Sequence, residues 1–600
     1  MEPEIVIRIM KSDINNYIRN SLEILYMADV DESHIQLLET RKEFKGDITL
    51  VVFPLLRYSS GSPEETAKAI GDYLKNQLSD VQDYNVINGF LNITFTPDHW
   101  IKIFSTILGD DHFGMTAPTD ISELILIEYS SPNTNKPLHL GHIRNNLIGF
   151  SLARILESNG YRVIKTNIVN DRGIHICKSM VAWMKFGNGE TPENSGEKGD
   201  HLVGRYYVRF ERELSKEVEE LERQGKTKEE AWMAAPLLEE ARELLRKWEA
   251  GDTNTVDLWE TMNGWVYDGF NVTYDLLGIE FDKIYYESET FKSGKEIVIN
   301  AIEQGYLFKK PDGSVWVDLS EFNLEEKLLL RSDGTTVYMT QDIGTAVERY
   351  NDFGFDRHLY VVGNEQNYHF QVLKLVLKKL GYGWSDGLFH FSYGMVELPE
   401  GKMKSREGTI VDADDLIKEM IHTAYEMSEE LGKLDIYTGE EKDEILRKIG
   451  LGALKYFILK VDPKKNMMFN PVESIDFNGN TGPFIQYTYS RIQSIMRKAG
   501  DIESFSPAGL TPNQKEIELI KLLNQFPTVV SEAGENLSPA LLANYCYDLS
   551  KVFNQYYHDY IILGESDLLT RRFRIKLTWQ TGEMIRKGMW LLGIELPDRM

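Results

Sequence analysis

Apolar positions change their spacing along this chain, and each change marks a different kind of building block. From Val6 to Met27 they recur with a helical period. A second helix is expected from Glu64 to Leu78, where Ser62-Pro63 supplies an N-cap and a first-turn proline. Asn85 to Thr96 then alternates Val86, Phe90, Ile93 and Phe95 among turn residues, which predicts a pair of strands. Residues 1–115 therefore read as a small α+β domain, with a linker between Gly109 and Thr119.

Leu124-Ile125-Leu126-Ile127-Glu128-Tyr129 is a short, nearly continuous apolar run, the pattern of a parallel strand buried on both faces. A Ser130-Ser131-Pro132-Asn133 turn follows, and from about Pro137 a helix is expected with Leu140, Ile143, Leu147, Ile148, Leu152, Ile155 and Leu156 at helical spacing. Asn159-Gly160 is a left-handed stop, and Arg162 to Val169 reads as the next strand. Strand, helix and strand in this order make a right-handed βαβ unit. The pattern returns as a strand over His358–Val362, a helix over Phe370–Leu380 and a strand over Leu388–Leu398. Residues 119–470 thus predict a Rossmann-like, doubly wound parallel α/β domain, interrupted at about 185–290 by an acidic helical insertion. Beyond Phe477 strand patterns vanish; Ala540–Tyr560 and Arg571–Leu592 are the clearest helices, and residues 471–600 read as an all-α helical bundle.

At 600 residues the chain is too long for one core, in keeping with three domains. No apolar run reaches membrane-spanning length and the start lacks the pattern of a secretory signal, so no membrane partner is expected. The only cysteines, Cys177 and Cys546, cannot build a disulfide framework or a four-cysteine zinc site; a reducing cytoplasm and no protein-bound structural metal are expected. The net charge of −27 by itself speaks against nucleic-acid binding. Its distribution reverses that reading: residues 477–600 hold as many Lys and Arg as Asp and Glu, with basic clusters at Arg571–Lys576 and at Arg491, Arg497 and Lys498.

The richest chemistry lies in the turn after the first parallel strand, Ser130 to Arg144. His139 and His142 fall in the first turns of the expected helix, where unpaired amides and the helix dipole favour anions. With Lys136 they suit a triphosphate, and Gly141, lacking a Cβ, leaves room for a flat ring against the backbone. Neither the glycine-rich dinucleotide fingerprint nor a P-loop is present there, so this is a nucleotide site of another kind.

His139-Leu140-Gly141-His142 resembles the His-Ile-Gly-His signature of class I aminoacyl-tRNA synthetases, and Glu128–Asn133 with Lys136 is similar to the arginyl family in particular. Lys402-Met403-Lys404-Ser405-Arg406 resembles the second class signature, with Ser405 where its second lysine would stand; Asp412 or Asp414 would cap the helix that follows. The resemblance implies ATP, carried with Mg²⁺ as a substrate complex, on His139, Gly141, His142, Lys402 and Met403. It implies catalysis by Lys136, His139, His142, Lys402 and Arg406, with Lys136 compensating for the altered second signature. Segments Tyr338–Asp342 and Glu365–Phe370 resemble the family's arginine pocket. Tyr338 and Asp342 would then hold the guanidinium, and Glu128, Asn133 and Gln366 the α-amino and carboxylate end. A guanidinium is a planar fork of donors that carboxylates match. The C-terminal part resembles the family's anticodon-binding domain, implying tRNA(Arg) as partner and Tyr487, Tyr489, Arg491, Trp590 and Met600 as RNA contacts; residues 1–115 resemble its tRNA-contacting extra domain. Monomer is the family default. The chain departs from the family at Asp171-Arg172-Gly173, where Asp-Trp-Gly is usual, and in its long insertion, which reads either as an acceptor-end clamp or as decoration.

Overall fold

The computed structural model describes residues 3–41, 43–397, 411–431, 438–500 and 509–600. Its N-terminal part combines helices Pro3–Tyr26, Pro63–Gln77 and Pro97–Leu108 with a four-stranded antiparallel sheet. Ser62 accepts the amide of Glu65, whose carboxylate accepts that of Ser62, so the expected helix start is a full capping box. The expected strand pair is Val81–Ile87 with Phe90–Phe95. It turns at Asn88-Gly89, both at positive φ (49° and 77°), as a two-residue hairpin requires.

Five parallel strands form the central sheet: β1 (Leu124–Glu128), β2 (Arg162–Val169), β3 (Lys283–Tyr286), β4 (Arg357–Gly363) and β5 (Leu388–Tyr393), in the order β5-β4-β1-β2-β3. Helix α1 (Leu140–Ser158) crosses from β1 to β2 and ends at Gly160, where φ is 86°. Helix α2 (Tyr338–Phe353) leads into β4, and α3 (Asn367–Lys379) connects β4 to β5. Strand order reverses between β1 and β4, and the crevice at the carboxyl ends of those two strands is where open α/β sheets bind ligands. Helix α1 is buried on nearly every side, its polar Arg144 and Asn146 included. It approaches β1 so closely that a Cβ on Gly149 would lie 2.5 Å from the Tyr129 Cβ. Gly149→Ala is therefore expected to destabilise the fold by about 1–3 kcal/mol, through overpacking. Thermal unfolding checks this, and an unchanged Tm would contradict so tight a contact.

The structure corrects several expected boundaries. The strand expected to continue past Tyr393 stops there, because at Gly394 the backbone runs against that of Lys465 and Asn466, with no room for a side chain. Val396–Glu397 pairs instead with Met467–Met468. The helices assigned to the insertion begin already at Ile174 (Ile174–Phe186, Gly199–Arg223, Pro236–Glu249, Thr253–Leu277), and β3 lies inside the stretch read as wholly helical. A small antiparallel sheet (Phe308–Lys309, Val315–Val317, Lys327–Leu330) had no counterpart in the sequence reading.

Beyond helices Ala413–Leu431 and Glu440–Leu459, the C-terminal part is helical: α4 (Gly482–Ala499), α5 (Gln514–Glu535), α6 (Pro539–Asp559) and α7 (Leu568–Leu591). The chain end after α7 is tied back to the other parts. Ser151 of α1 donates to the Leu591 carbonyl, Lys455 to that of Gly593 and Gln486 of α4 to that of Glu595. Among the described residues, no helix is long and apolar enough to cross a membrane.

Candidate active site

The turn after β1 is held in a demanding shape. Ser130 and Ser131 both adopt positive φ (81° and 49°), which non-glycine residues keep only when their surroundings enforce it. Here the Ser130 amide donates to Asn145 of α1 (2.5 Å) and the Ser131 amide to Asn167 of β2 (2.9 Å), while the Ser130 hydroxyl meets the Tyr274 hydroxyl (2.6 Å). The Thr134 amide then donates to the Asn170 carbonyl (3.2 Å) and the Asn170 amide to the Pro132 carbonyl (2.9 Å), which ties the turn to the end of β2.

The two histidines are interlocked. The His139 amide donates to His142 Nδ1 (3.2 Å), the Gly141 amide donates to His139 Nδ1 (3.1 Å), and the rings lie 4.0 Å apart. A ring nitrogen that accepts an amide carries no proton, so each imidazole is left with Nε2–H as its free donor. Burial, with the Lys136 charge adding to it, pushes His139 down to about 4. Burial and the adjacent His139 and Lys136 push His142 well below the usual histidine range. Both are neutral donors near pH 7. The amides of His139, Leu140 and Gly141 all have protein partners, the Leu140 amide donating to the Val411 carbonyl (3.0 Å). This corrects the expectation of unpaired amides at the helix start for these three residues. Gly141 also has a second reason to be glycine, since its Cβ would fall 2.9 Å from His139 Cε1.

Lys402, Met403 and Arg406 lie outside the described residues. The segment just after them is placed beside the histidines: the Leu140 and Ala413 amides donate to the Val411 and Leu138 carbonyls, which pairs His139 with Asp412 in an antiparallel bridge. Asp412, rather than Asp414, caps the next helix, its carboxylate accepting the amides of Asp414 and Asp415.

Across the crevice, Tyr338 opens α2 with its ring largely exposed (77%) and Asp342 follows one turn on. Asp342 meets His369 Nε2 at 2.5 Å, a partner not anticipated from sequence although His369 stands three residues past Gln366. Asn133 and Gln366 are exposed polar side chains at the ends of β1 and β4. Glu128, also at the end of β1, is buried and already paired with the fully buried Arg349. Any ligand group that reaches Glu128 therefore meets a carboxylate that already has a cationic partner. Glu287, at the start of the helix after β3, was missed altogether. Burial pushes it up to about 7; Arg172 opposes this, and the charges of Asp171 and Asp342 add to it. No periodicity or motif in the sequence marks it. The altered Arg172 stacks 3.9 Å above the Phe291 ring and bonds to Glu249 (3.2 Å), while Asp171 binds Ser288 and Tyr267.

In the C-terminal part, Arg491 stacks between the rings of Tyr487 (4.8 Å) and Tyr557 (5.0 Å), and Tyr557 is exposed. Trp590 is exposed too, with the Arg154 guanidinium 4.7 Å over its ring. Tyr489, by contrast, is largely buried (6% exposed) in the packing of α4, and Met600 is half-buried against the same core.

Comparison with known proteins agrees with this arrangement. Residues 104–470 match the family model described as tRNA synthetases class I (R), catalytic domain, and residues 485–600 match the DALR anticodon binding domain. The arginine–tRNA ligase of Bacteroides thetaiotaomicron is 60% identical over 97% of this chain and 98% of its own length; that of Flavobacterium psychrophilum is 54% identical over 98% and 99%. The solved arginyl-tRNA synthetase of Thermus thermophilus superposes with a TM-score of 0.77 at 25% identity, covering 98% of this chain and all of that one. The catalytic-domain match covers residues 104–470, the anticodon-domain match covers residues 485–600 and the relatives align over nearly the whole length, so the chain belongs to the arginine-specific class I tRNA synthetase family.

Proposed function

We propose that this chain ligates arginine to the 3′ end of tRNA(Arg) in two steps. Arginine's carboxylate attacks the α-phosphorus of ATP, with Mg²⁺ carried on the triphosphate as part of the substrate, and pyrophosphate leaves. The terminal ribose hydroxyl of the tRNA then attacks the adenylate carbonyl, releasing AMP. Such phosphoryl chemistry asks the protein for position and charge stabilisation more than for covalent work. Neutral His139 and His142 offer N–H donors, Lys136 a cation, and Lys402, Met403 and Arg406 complete the nucleotide site. Tyr338, Asp342 and Glu287 receive the guanidinium, with Asn133 and Gln366 at the amino-acid end. The division into residues 1–115 for the tRNA body, 119–470 for catalysis and 471–600 for the anticodon belongs to the same reading. Two buried free thiols suit a reducing cytoplasm, and the chain acts as a monomer.

One observation carries the reading: the histidine pair sits at the switch point of the sheet, in a domain where the partly exposed Asp342 and the half-buried Glu287 feel each other's charge. ATP–pyrophosphate exchange across amino acids, with and without tRNA, tests it. Exchange specific to arginine and dependent on tRNA is expected; exchange with another amino acid in its place would overturn it.

The same pocket sets a pH dependence. A guanidinium favours the ionised form of Glu287, so arginine binding weakens as pH falls through about 7 and the group takes up a proton. KM for arginine is expected to rise roughly tenfold between pH 8 and pH 6, and Glu287→Gln to flatten that slope while raising KM throughout. A slope that survives the substitution intact would transfer the effect to the His369–Asp342 pair.

A further inference from the structure

Two helices of the insertion grip the segment that backs His139. Lys198, the N-cap of helix Gly199–Arg223, donates to Asp414 (2.6 Å) and to Asp200 (3.2 Å). His201, in the first turn of the same helix, reaches Asp414 through Nε2 at 2.9 Å and lies 3.6 Å from Asp412. Thr273, from helix Thr253–Leu277, donates to the other Asp414 oxygen (2.8 Å). Lys198 and His201 lie among the three carboxylates of Asp200, Asp412 and Asp414, so the group is a clasp of opposite charges. Burial alone would raise the Asp414 carboxyl, but its bonds to His201 and Lys198 hold it well below the usual range. What the clasp holds is the stretch Val411–Ala413, bonded on both sides of His139. The same insertion helix presses on the preceding residues: a Cβ on Gly204 would lie 2.8 Å from Pro137 Cδ and 3.4 Å from Lys136 Cα.

We propose that the insertion is a positioning element of the ATP site, with His201 and Lys198 acting through Asp414 and the Val411–Ala413 backbone to hold His139 and Lys136 in place. This rests on the reading of the histidine pair as the ATP site. It gives the insertion a task inside the catalytic domain, distinct from clamping RNA or from decoration. His201 and Lys198 touch no substrate in this account; they fix groups that do.

The test compares His201→Ala and His201→Gln in pyrophosphate exchange, and by calorimetric titration of the full-length variants with ATP alone. His201 is partly exposed (26% for its side chain), so the substitution opens no large cavity. His201→Ala is expected to raise KM and Kd for ATP about tenfold, from the loss of a charge-assisted bond, and to leave KM for arginine within about twofold. The glutamine, which offers an amide N–H where Nε2 stood, is expected to restore most of the ATP affinity. Thr273→Val, nearly isosteric, is expected to shift ATP in the same direction by about threefold, and it decides the matter if the alanine variant does not fold. Unchanged ATP affinity, equal loss for ATP and arginine, or no recovery in the glutamine variant would overturn the proposal. A wild-type chain that binds ATP but shows no arginine exchange would sink the functional reading alone, and ATP titration of the same variants would still judge the clasp.

Discussion

Replacing His142 with alanine is expected to lower the rate of arginine-dependent pyrophosphate exchange by about 10²–10³, the usual scale for removing a donor aimed at developing charge. The interlocked geometry explains why one imidazole carries so much. Its Nδ1 accepts the His139 amide, so the substitution strips a donor from the nucleotide site and a brace from the neighbouring histidine together. His142→Asn separates the two effects. Its side-chain oxygen can accept the His139 amide but offers no group in place of Nε2–H, so it is expected to recover the brace and only part of the rate. Because His139 is held down to about 4 and His142 well below its usual range, neither is expected to leave a protonation step in kcat between pH 6 and pH 8. Rapid-quench or isotope-exchange measurements check both points, and a His142→Ala enzyme with normal exchange would overturn the roles given to the pair.

The second large effect concerns the amino acid. Asp342→Asn keeps the shape of the side chain and removes its charge. The expected result is a rise in KM for arginine on the order of 10²-fold, about 3 kcal/mol for a lost charge-assisted bond, with KM for ATP nearly unchanged. His369, which meets Asp342 at 2.5 Å, loses its acid partner in the same variant. That bond raises the His369 pKa, so a charged His369 is expected less often near neutral pH once the carboxylate is gone. Measuring both KM values separates this account from a general loss of fold, which would move them together. Equal changes for the two substrates would contradict a guanidinium partner at Asp342.

Much of the α/β framework could be read from residue order because local and global preferences agree there. β2 was expected over Arg162–Val169 and lies there, and α1 stops just before Gly160 as expected, although it starts at Leu140 with His139 as its cap, three residues past the expected Pro137. Among the elements that escaped notice, helix Pro97–Leu108 has a clear apolar face, whereas two strands are short and lack an apolar rhythm. Gln36–Glu39 is a mostly exposed edge strand, and β3 is four residues beside a long helical stretch. The site was legible to the extent that neighbouring residues spell it: the histidine pair, Lys136, Asp342 and Gln366 all lie in recognisable segments. Arg349 against Glu128, His369 against Asp342, and Arg172 against Glu287 are pairings made by the tertiary fold between distant parts of the chain. Arg349 gives Glu128 a buried partner that no reading of residues 124–144 alone reveals. The same holds for Tyr489, whose aromatic ring suits RNA stacking in sequence but fills the space beneath α4 in the fold.

In the proposed function His139, His142 and Lys136 hold the triphosphate while Asp342 and Glu287 receive a guanidinium on the other side of the same crevice. A crystal structure with arginine and a non-hydrolysable ATP analogue tests it most directly. The expected result places phosphate oxygens within hydrogen-bond reach of the two Nε2 atoms and the guanidinium against Asp342. A triphosphate bound elsewhere, or an Asp342 carboxylate turned away from the arginine side chain, would contradict it.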